Sequence, residues 1–235
     1  RGLFFLILIV GILVRTVQLG ALPAGIDQDE AMSAYQAYTT YTQGLDLNGY
    51  HNPVYFEAWG NGQSALLSYL MIPFIAVFGL TDLAIRLPMA ITGILTLPVF
   101  FLLLKRIFDE KTAFVGFFLL AINPWHIMMS RWSLDCNLAP AFLLFGLYFF
   151  ILALEKHPAY YLLSAFMYGL CLYTYAIMWV VVPLSLLLQI CYALLTKRAR
   201  ITWYTSGFVV LLGLIALPLL LLVAVNLHYI PEIKT

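Results

Sequence analysis

The stretch "GIDQDEAMSAYQAY", residues 25–38, places Asp27, Asp29 and Glu30 within four positions. The chain holds only eleven Asp and Glu in 235 residues, so this is a concentration of scarce charge. Acids at a helix start satisfy free amides and the macrodipole. Asp27 and Glu30 have the spacing of a capping box, with Asp in place of the usual Ser or Thr. Asp29 is surplus to that pair; it is either a third dipole acid or a carboxylate free to take a proton as a general base.

A second polar cluster is "NPWHIMMSRWSLDCN", 123–137, which offers His126, Arg131, Asp135 and Asn137 beside Trp125 and Trp132. Ionisable groups near the membrane plane are functional candidates by default. Arg131 and Asp135 also stand at i,i+4, where an ordinary helical ion pair is worth a few tenths of a kcal/mol. A third stretch, "GYHNPVYFEAWGNGQSALLSYL", 49–70, sets His51, Asn52, Glu57, Asn61 and Gln63 among aromatics and glycines. That composition fits a sugar or head-group surface and an interfacial loop equally. Arg86, in "LAIRLP", stands at the mouth of a span, where a snorkelling anchor is the plain alternative.

The elements that must position these groups are membrane helices. The chain is 63% hydrophobic and 10% charged, against about 25% charged in soluble domains. Its net charge of +1 points away from a nucleic-acid partner. The spacing predicts spans at 3–19, 87–104, 113–129, 138–154, 160–176, 178–195 and 203–225. The first is read as a retained helix rather than a cleaved signal, because no Ala-x-Ala-like site follows it. Cys171 and Cys191, in apolar runs, read as small core residues. Cys136 reads as a loop residue, and no metal-ligand spacing is present.

The stretch "SALLSYLMIPFIAVFGL", 64–80, decides the topology. If it does not cross and the N-terminus is inside, the inner loops hold Arg1, Lys105, Arg106, Lys111, Lys156, Lys197, Arg198 and Arg200. The outer loops then hold only Arg86, Arg131 and Lys234, as the positive-inside rule asks. A crossing 64–80 with the N-terminus outside scores nearly as well, but separates the acidic loop from 130–137. The first arrangement is preferred, with 64–80 lying at the outer interface.

The first outer loop then runs over 20–62, and over 20–86 with its interfacial helices. Connections beyond about 12–15 residues are usually functional or disordered, and this one is aromatic rather than disordered, with Tyr35, Tyr38, Tyr41, Tyr50, Tyr55, Phe56 and Trp59, which suit the water–lipid boundary. Residues 28–43 are predicted as an amphipathic helix stopped by Gly44. Its apolar stripe is Ala31, Ala34, Tyr35, Tyr38 and Tyr41; its opposite stripe is Asp29, Ser33, Gln36 and Thr40.

With "DEAMSAYQAY", "FGLTDLAIRLP" and "SRWSLDCN" in this order, the chain resembles the N-terminal membrane module of polyprenyl-phosphate-sugar-dependent glycosyltransferases. These are the GT-C superfamily, including protein O-mannosyltransferases (glycosyltransferase family 39-like) and aminoarabinose transferases of lipid A. The resemblance covers essentially the whole chain. It implies an all-α polytopic membrane protein, a GT-C-type helical bundle of about seven spanning helices with interfacial helices in the first outer loop. It also implies a catalytic acid in that loop, matching Asp29, and a second acid with a nearby base in the next outer loop, matching Asp135 and Arg131. Two departures stand out. The His-Pro-Pro-Leu or Lys-Pro-Pro-Leu element of relatives appears only loosely, as "HNPVYFEAWGNGQS". The chain also stops after about seven spans, where relatives continue, so it is expected to be truncated at its C-terminus.

The implied chemistry is transfer of a sugar from a polyprenyl phosphate to an acceptor hydroxyl on a protein, lipid or glycan. Asp29 is the expected base; Asp135, the second catalytic acid, either orients Arg131 or contacts the acceptor. The leaving phosphate monoester, with a second pKa near about 6, needs no acid. It needs a counter-charge, for which Arg131 is the first choice and Arg86 the second. Attack opposite the leaving phosphate inverts the anomeric carbon. Glu30, His51, Asn52, Glu57 and His126 are the expected acceptor or sugar contacts. No cofactor is required, and a divalent cation is left open. The expected location is a bacterial plasma membrane, with the site on its outer face. The competing readings are a transporter or flippase of lipid-linked sugars, with Arg15 and Asn123 lining a midplane path, and a purely structural subunit.

Overall fold

The computed structural model describes residues 2–58, 60–199 and 201–230. Arg1, Trp59, Arg200 and Lys234, which entered the charge and aromatic reading, lie outside them. Helices dominate. Helix α1 (Gly2–Thr16) leads into the long acidic loop, where α2 (Gln28–Gln43) is followed by a hairpin of β1 (Tyr55–Ala58) and β2 (Asn61–Ser64) and by α3 (Leu66–Phe78). Then come α4 (Asp82–Ile107), α5 (Glu110–Ile122), α6 (Pro124–Arg131), a 3-10 turn (Asp135–Leu138), α7 (Ala139–Glu155), α8 (Tyr160–Cys171), α9 (Met178–Leu195) and α10 (Trp203–Asn226).

The chain is an integral membrane protein of apolar helices. Helices α4, α9 and α10, and α7 with its leading turn, are long and apolar enough to cross a membrane. The pair α5 and α6, bent by 55°, makes a fifth if taken as one span. The two remaining predicted spans correspond to α1 and α8, apolar helices of 15 and 12 residues. The break within the predicted 113–129 span falls at Asn123–Pro124: Pro124 has no amide to continue the ladder, and Asn123 Oδ1 instead accepts from the His126 N–H at 2.9 Å.

Packing, rather than apolar burial alone, holds such helices together. One cluster joins α1, α4 and α5 through Ile7, Leu97, Phe101 and Phe117. The larger one runs from α2 and α3 through α7, α8 and α10. Helices α7 and α8 approach closely because Gly146 has no side chain: a Cβ there would overlap the Tyr168 ring. Ser164 Oγ donates to the Gly146 carbonyl at 2.8 Å across the same contact. Cys171 is buried as expected, whereas Cys191 faces outward from α9, since α9 packs on one side only.

Helix α3 does not cross. Ser133 Oγ donates to the Ile85 carbonyl at 2.7 Å, in the first turn of α4. Two residues later Asp135 Oδ2 accepts from the Ser64 N–H at 3.3 Å, just ahead of α3. One short segment therefore ties the starts of α3 and α4 to the same end of the bundle. A spanning α3 would hold them about 30 Å apart.

Helix α2 has the predicted limits. Asp27 and Glu30 complete the capping box, and Gly44 ends the helix at φ +73°. The two stripes of the helix meet different surroundings. Tyr35, Tyr38 and Tyr41 point outward, while Ser33, Gln36 and Glu30 are buried with Ala34 and Ala37. The physical reason is that the outer environment is the membrane interface, which suits tyrosine, while the interior supplies the partners that the polar side chains need.

Candidate active site

Two consecutive residues of β2 bring the acidic loop and the 123–137 segment together. Gln63 Nε2 donates to Ser33 Oγ at 2.9 Å and lies 3.5 Å from the Asp29 carbonyl. Its neighbour Ser64 donates its N–H to Asp135 Oδ2. Asp29, on α2, and Asp135, ahead of α7, thus flank one strand although 106 positions separate them in the chain. They are near enough for the charge of Asp29 to act on Asp135. The Asp29 side chain is exposed and has no hydrogen bond or ion pair among the described residues. Asp135 is half-buried, and its Oδ1 accepts from the Cys136 N–H at 2.7 Å. One carboxylate is free and the other is held.

The hairpin also places aromatics beside them. Tyr55, on β1, pairs with Ser64, and its ring lies across Gly62, where a Cβ would overlap it. Burial, then the charges of Asp135 and Tyr175, hold the Tyr55 phenol above its ordinary value, so it stays an O–H donor. The Trp179 ring stands 5.9 Å from that of Tyr55. The Leu66 N–H donates to the Tyr173 carbonyl at 3.2 Å, which ties the segment after the hairpin to the turn carrying Tyr175, just ahead of Trp179 in α9. Gln63 and Tyr55 figured in the sequence only as members of a polar and an aromatic group, and Tyr175 and Trp179 not at all. The turn residue Gly60 and the alternation of β1 were the available hairpin signals.

The arginines have other partners. Arg86 was expected at a donor phosphate, but it is fully buried with all five N–H groups engaged. Nε and Nη2 reach Glu30 at 3.3 Å each, and the other bonds go to the carbonyls of Leu19, Pro23 and Gly25. Glu30, expected at a sugar, is likewise enclosed: it accepts from Arg86, from the Ser133 N–H at 2.8 Å and from the Asp27 N–H at 3.2 Å. Arg131 does not pair with Asp135; it donates to the carbonyls of Val14, Val17 and Leu22 at 2.8–3.1 Å, closing the end of α1. Arg15 does the same for α5 through Leu120 and Ala121, and its Nη2 meets His126 Nδ1 at 2.7 Å. His126 therefore faces Arg15 and a separate cavity rather than Asp29. His51, Asn52 and Glu57 are exposed; His51 Nδ1 donates to the Gly44 carbonyl at 3.0 Å.

Guanidinium groups at helix ends suit the carbonyls left free there, and inside a membrane each unmatched carbonyl is costly. Three arginines thus brace this end of the bundle, and the ion pair of Arg86 with Glu30 locks α2 to α4 and to Ser133. Asp29, the residue just before the buried Glu30, is fixed by that lock while remaining open itself.

The 440 Å³ cavity at His126 lies between α4, α6 and α7 and the end of α5, with Met89, Phe100, Leu120, Met129 and Leu144 in its walls. It reaches Cys136 and Asn137, next to Asp135.

The structure is similar to ArnT from Cupriavidus metallidurans in the apo state, with a TM-score of 0.70 at 18% identity over 100% of this chain and 44% of that one. It is also similar to the Archaeoglobus fulgidus oligosaccharyltransferase in the apo form, with a TM-score of 0.68 at 18% identity over 92% of this chain and 29% of that one. The chain thus spans less than half the length of either, and the likeness is one of fold, the GT-C fold of membrane glycosyltransferases. No curated protein matches the chain. The family model of dolichyl-phosphate-mannose-protein mannosyltransferases matches residues 63–226, from the strand residue Gln63 to the end of α10. By that match the chain belongs to the dolichyl-phosphate-mannose-protein mannosyltransferase family.

Proposed function

We propose that the chain is the catalytic membrane module of a glycosyltransferase that moves a sugar from a polyprenyl phosphate to an acceptor hydroxyl with inversion. The observation that carries this reading is the seating of Asp29 and Asp135 on either side of Gln63 and Ser64. A free carboxylate beside a held one is what proton removal from an acceptor asks for. Asp29 takes the hydroxyl proton as the oxygen attacks the anomeric carbon, and the C–O bond to phosphate breaks on the opposite face. Asp135 and the Tyr55 O–H orient the acceptor or sugar, over the Tyr55 and Trp179 rings. The reaction so written draws on no cofactor.

The polyprenyl tail occupies the cavity between α4, α6 and α7, which starts at Cys136 beside Asp135 and is otherwise mostly apolar. The Lys and Arg residues at the far end of the bundle support an outer-face position for Asp29 by the positive-inside rule. With Arg86 and Arg131 committed to Glu30 and to carbonyls, neither is the first counter-charge for the phosphate. The carrier reading loses support for the same reason. Arg15 is tied to the end of α5, and Asn123 caps α6, so neither lines a midplane path.

The test is a transfer assay with a polyprenyl-phosphate sugar. Asp29→Asn is expected to lower turnover by about 10²–10⁴-fold with unchanged thermal unfolding. Wild-type turnover in that variant removes Asp29 from the mechanism.

A further inference from the structure

At the end of the bundle away from Asp29, α4, α7 and α9 leave a cavity of 510 Å³. Its mouth carries Arg106, Glu155 and Arg198, and its walls include Leu147, Ile151 and Leu188. From Leu147 to Glu155 the wall follows two turns of α7, a depth of about 12 Å.

The polar groups are unevenly matched. Arg106 Nη1 pairs with Glu155 at 2.7 Å, and Arg198 reaches the same carboxylate at 3.7 Å. Two guanidiniums against one carboxylate leave a positive charge at the mouth. Arg106 Nε is buried without a partner among the described residues, as is Gln189 Oε1. Gln189 is only 8% exposed and lines the cavity. Its Nε2 is held by Tyr168 Oη at 2.6 Å and by Ser185, which fixes the amide and leaves its acceptor open.

We propose that this cavity binds one anionic phospholipid of the leaflet at the Lys- and Arg-rich end. Its phosphate lies on Arg106 and Arg198, an acyl chain runs along Leu147, Ile151 and Leu188, and a head-group hydroxyl donates to a polar group such as Gln189 Oε1. An apolar helix laid into the same groove would leave both the surplus charge and the open acceptor unmatched, and unmatched polar groups are costly there. A hydroxylated anionic lipid such as phosphatidylglycerol matches both. The site is separate from the transfer site, and its test does not depend on the proposed reaction.

Native mass spectrometry of the purified protein tests it, with phosphatidylglycerol or phosphatidylcholine of equal chain length added. Phosphatidylglycerol should be retained about fivefold or more over phosphatidylcholine, since a guanidinium at the lipid surface is worth about that factor. Arg198→Gln, at an exposed position, should weaken retention about fivefold, and Arg106→Gln with Arg198→Gln further. Leu188→Trp, which fills the groove but keeps both guanidiniums, should also lose the lipid. Equal retention of the two lipids, or wild-type retention in Arg198→Gln and Leu188→Trp, overturns the proposal. Displacement by glycerol phosphate also overturns it, because the occupant would then be a free anion.

Discussion

Asp29 and Glu30 are neighbours with opposite fates. Glu30 is sealed against Arg86 and Ser133, whereas Asp29 meets solvent. Their substitutions should therefore fail differently. Breaking a buried pair by removing one charge costs about 3–5 kcal/mol, so Glu30→Gln should lower the thermal unfolding temperature strongly, with the remaining activity proportional to folded protein. Asp29→Asn should leave unfolding unchanged and stop transfer; a variant of Glu30 with native stability would refute the lock. Arg131 makes a sharper test. Its guanidinium closes α1 through three carbonyls, so Arg131→Gln should reduce stability with little effect on KM for the donor. A raised donor KM at unchanged stability would return Arg131 to the phosphate.

Among the elements, the hairpin does the work that neither α2 nor the 3-10 turn can do alone. β2 carries Gln63 to one acid and Ser64 to the other, and Gly62 leaves room for the Tyr55 ring. Gly62→Ala should push that ring off the strand and lower kcat/KM by about tenfold or more, as misplacement of a site by an ångström does. Circular dichroism should show the helices unchanged; full activity in Gly62→Ala would mean the Tyr55 position is irrelevant. The cavity between α4, α6 and α7 makes a separate claim. Leu144→Trp should raise KM for long-tailed polyprenyl donors while sparing short-tailed ones. An equal effect on both would place the tail elsewhere.

For the molecule as a whole, the decisive matter is which ends of the helices lie together. Ser133 and Asp135 fix the starts of α4 and α3 to one end, which puts the acidic loop and the 123–137 segment on one side of the membrane. Single cysteines introduced at the exposed positions Asn48 and Lys111, in a protein freed of its own cysteines, should label from opposite sides with an impermeant maleimide. Labelling of both from one side would sink this topology, and with it the shared outer site.

Several features needed no tertiary context. The scarcity of charge and the apolar runs specify membrane helices, because lipid tolerates little else. Helix α2, with its Asp27 and Glu30 caps and its Gly44 stop, follows from local hydrogen bonding. Three things were settled only by the fold. Glu30 and Ser33 of α2 turn inward because Arg86 and Gln63 meet them there, and periodicity cannot tell which face meets the core. Arg86, Arg131 and Arg15 brace carbonyls because chain segments distant in sequence end beside them. Asp29 and Asp135 meet because β2 joins them, and a pairing across 106 positions leaves no local trace in either stretch.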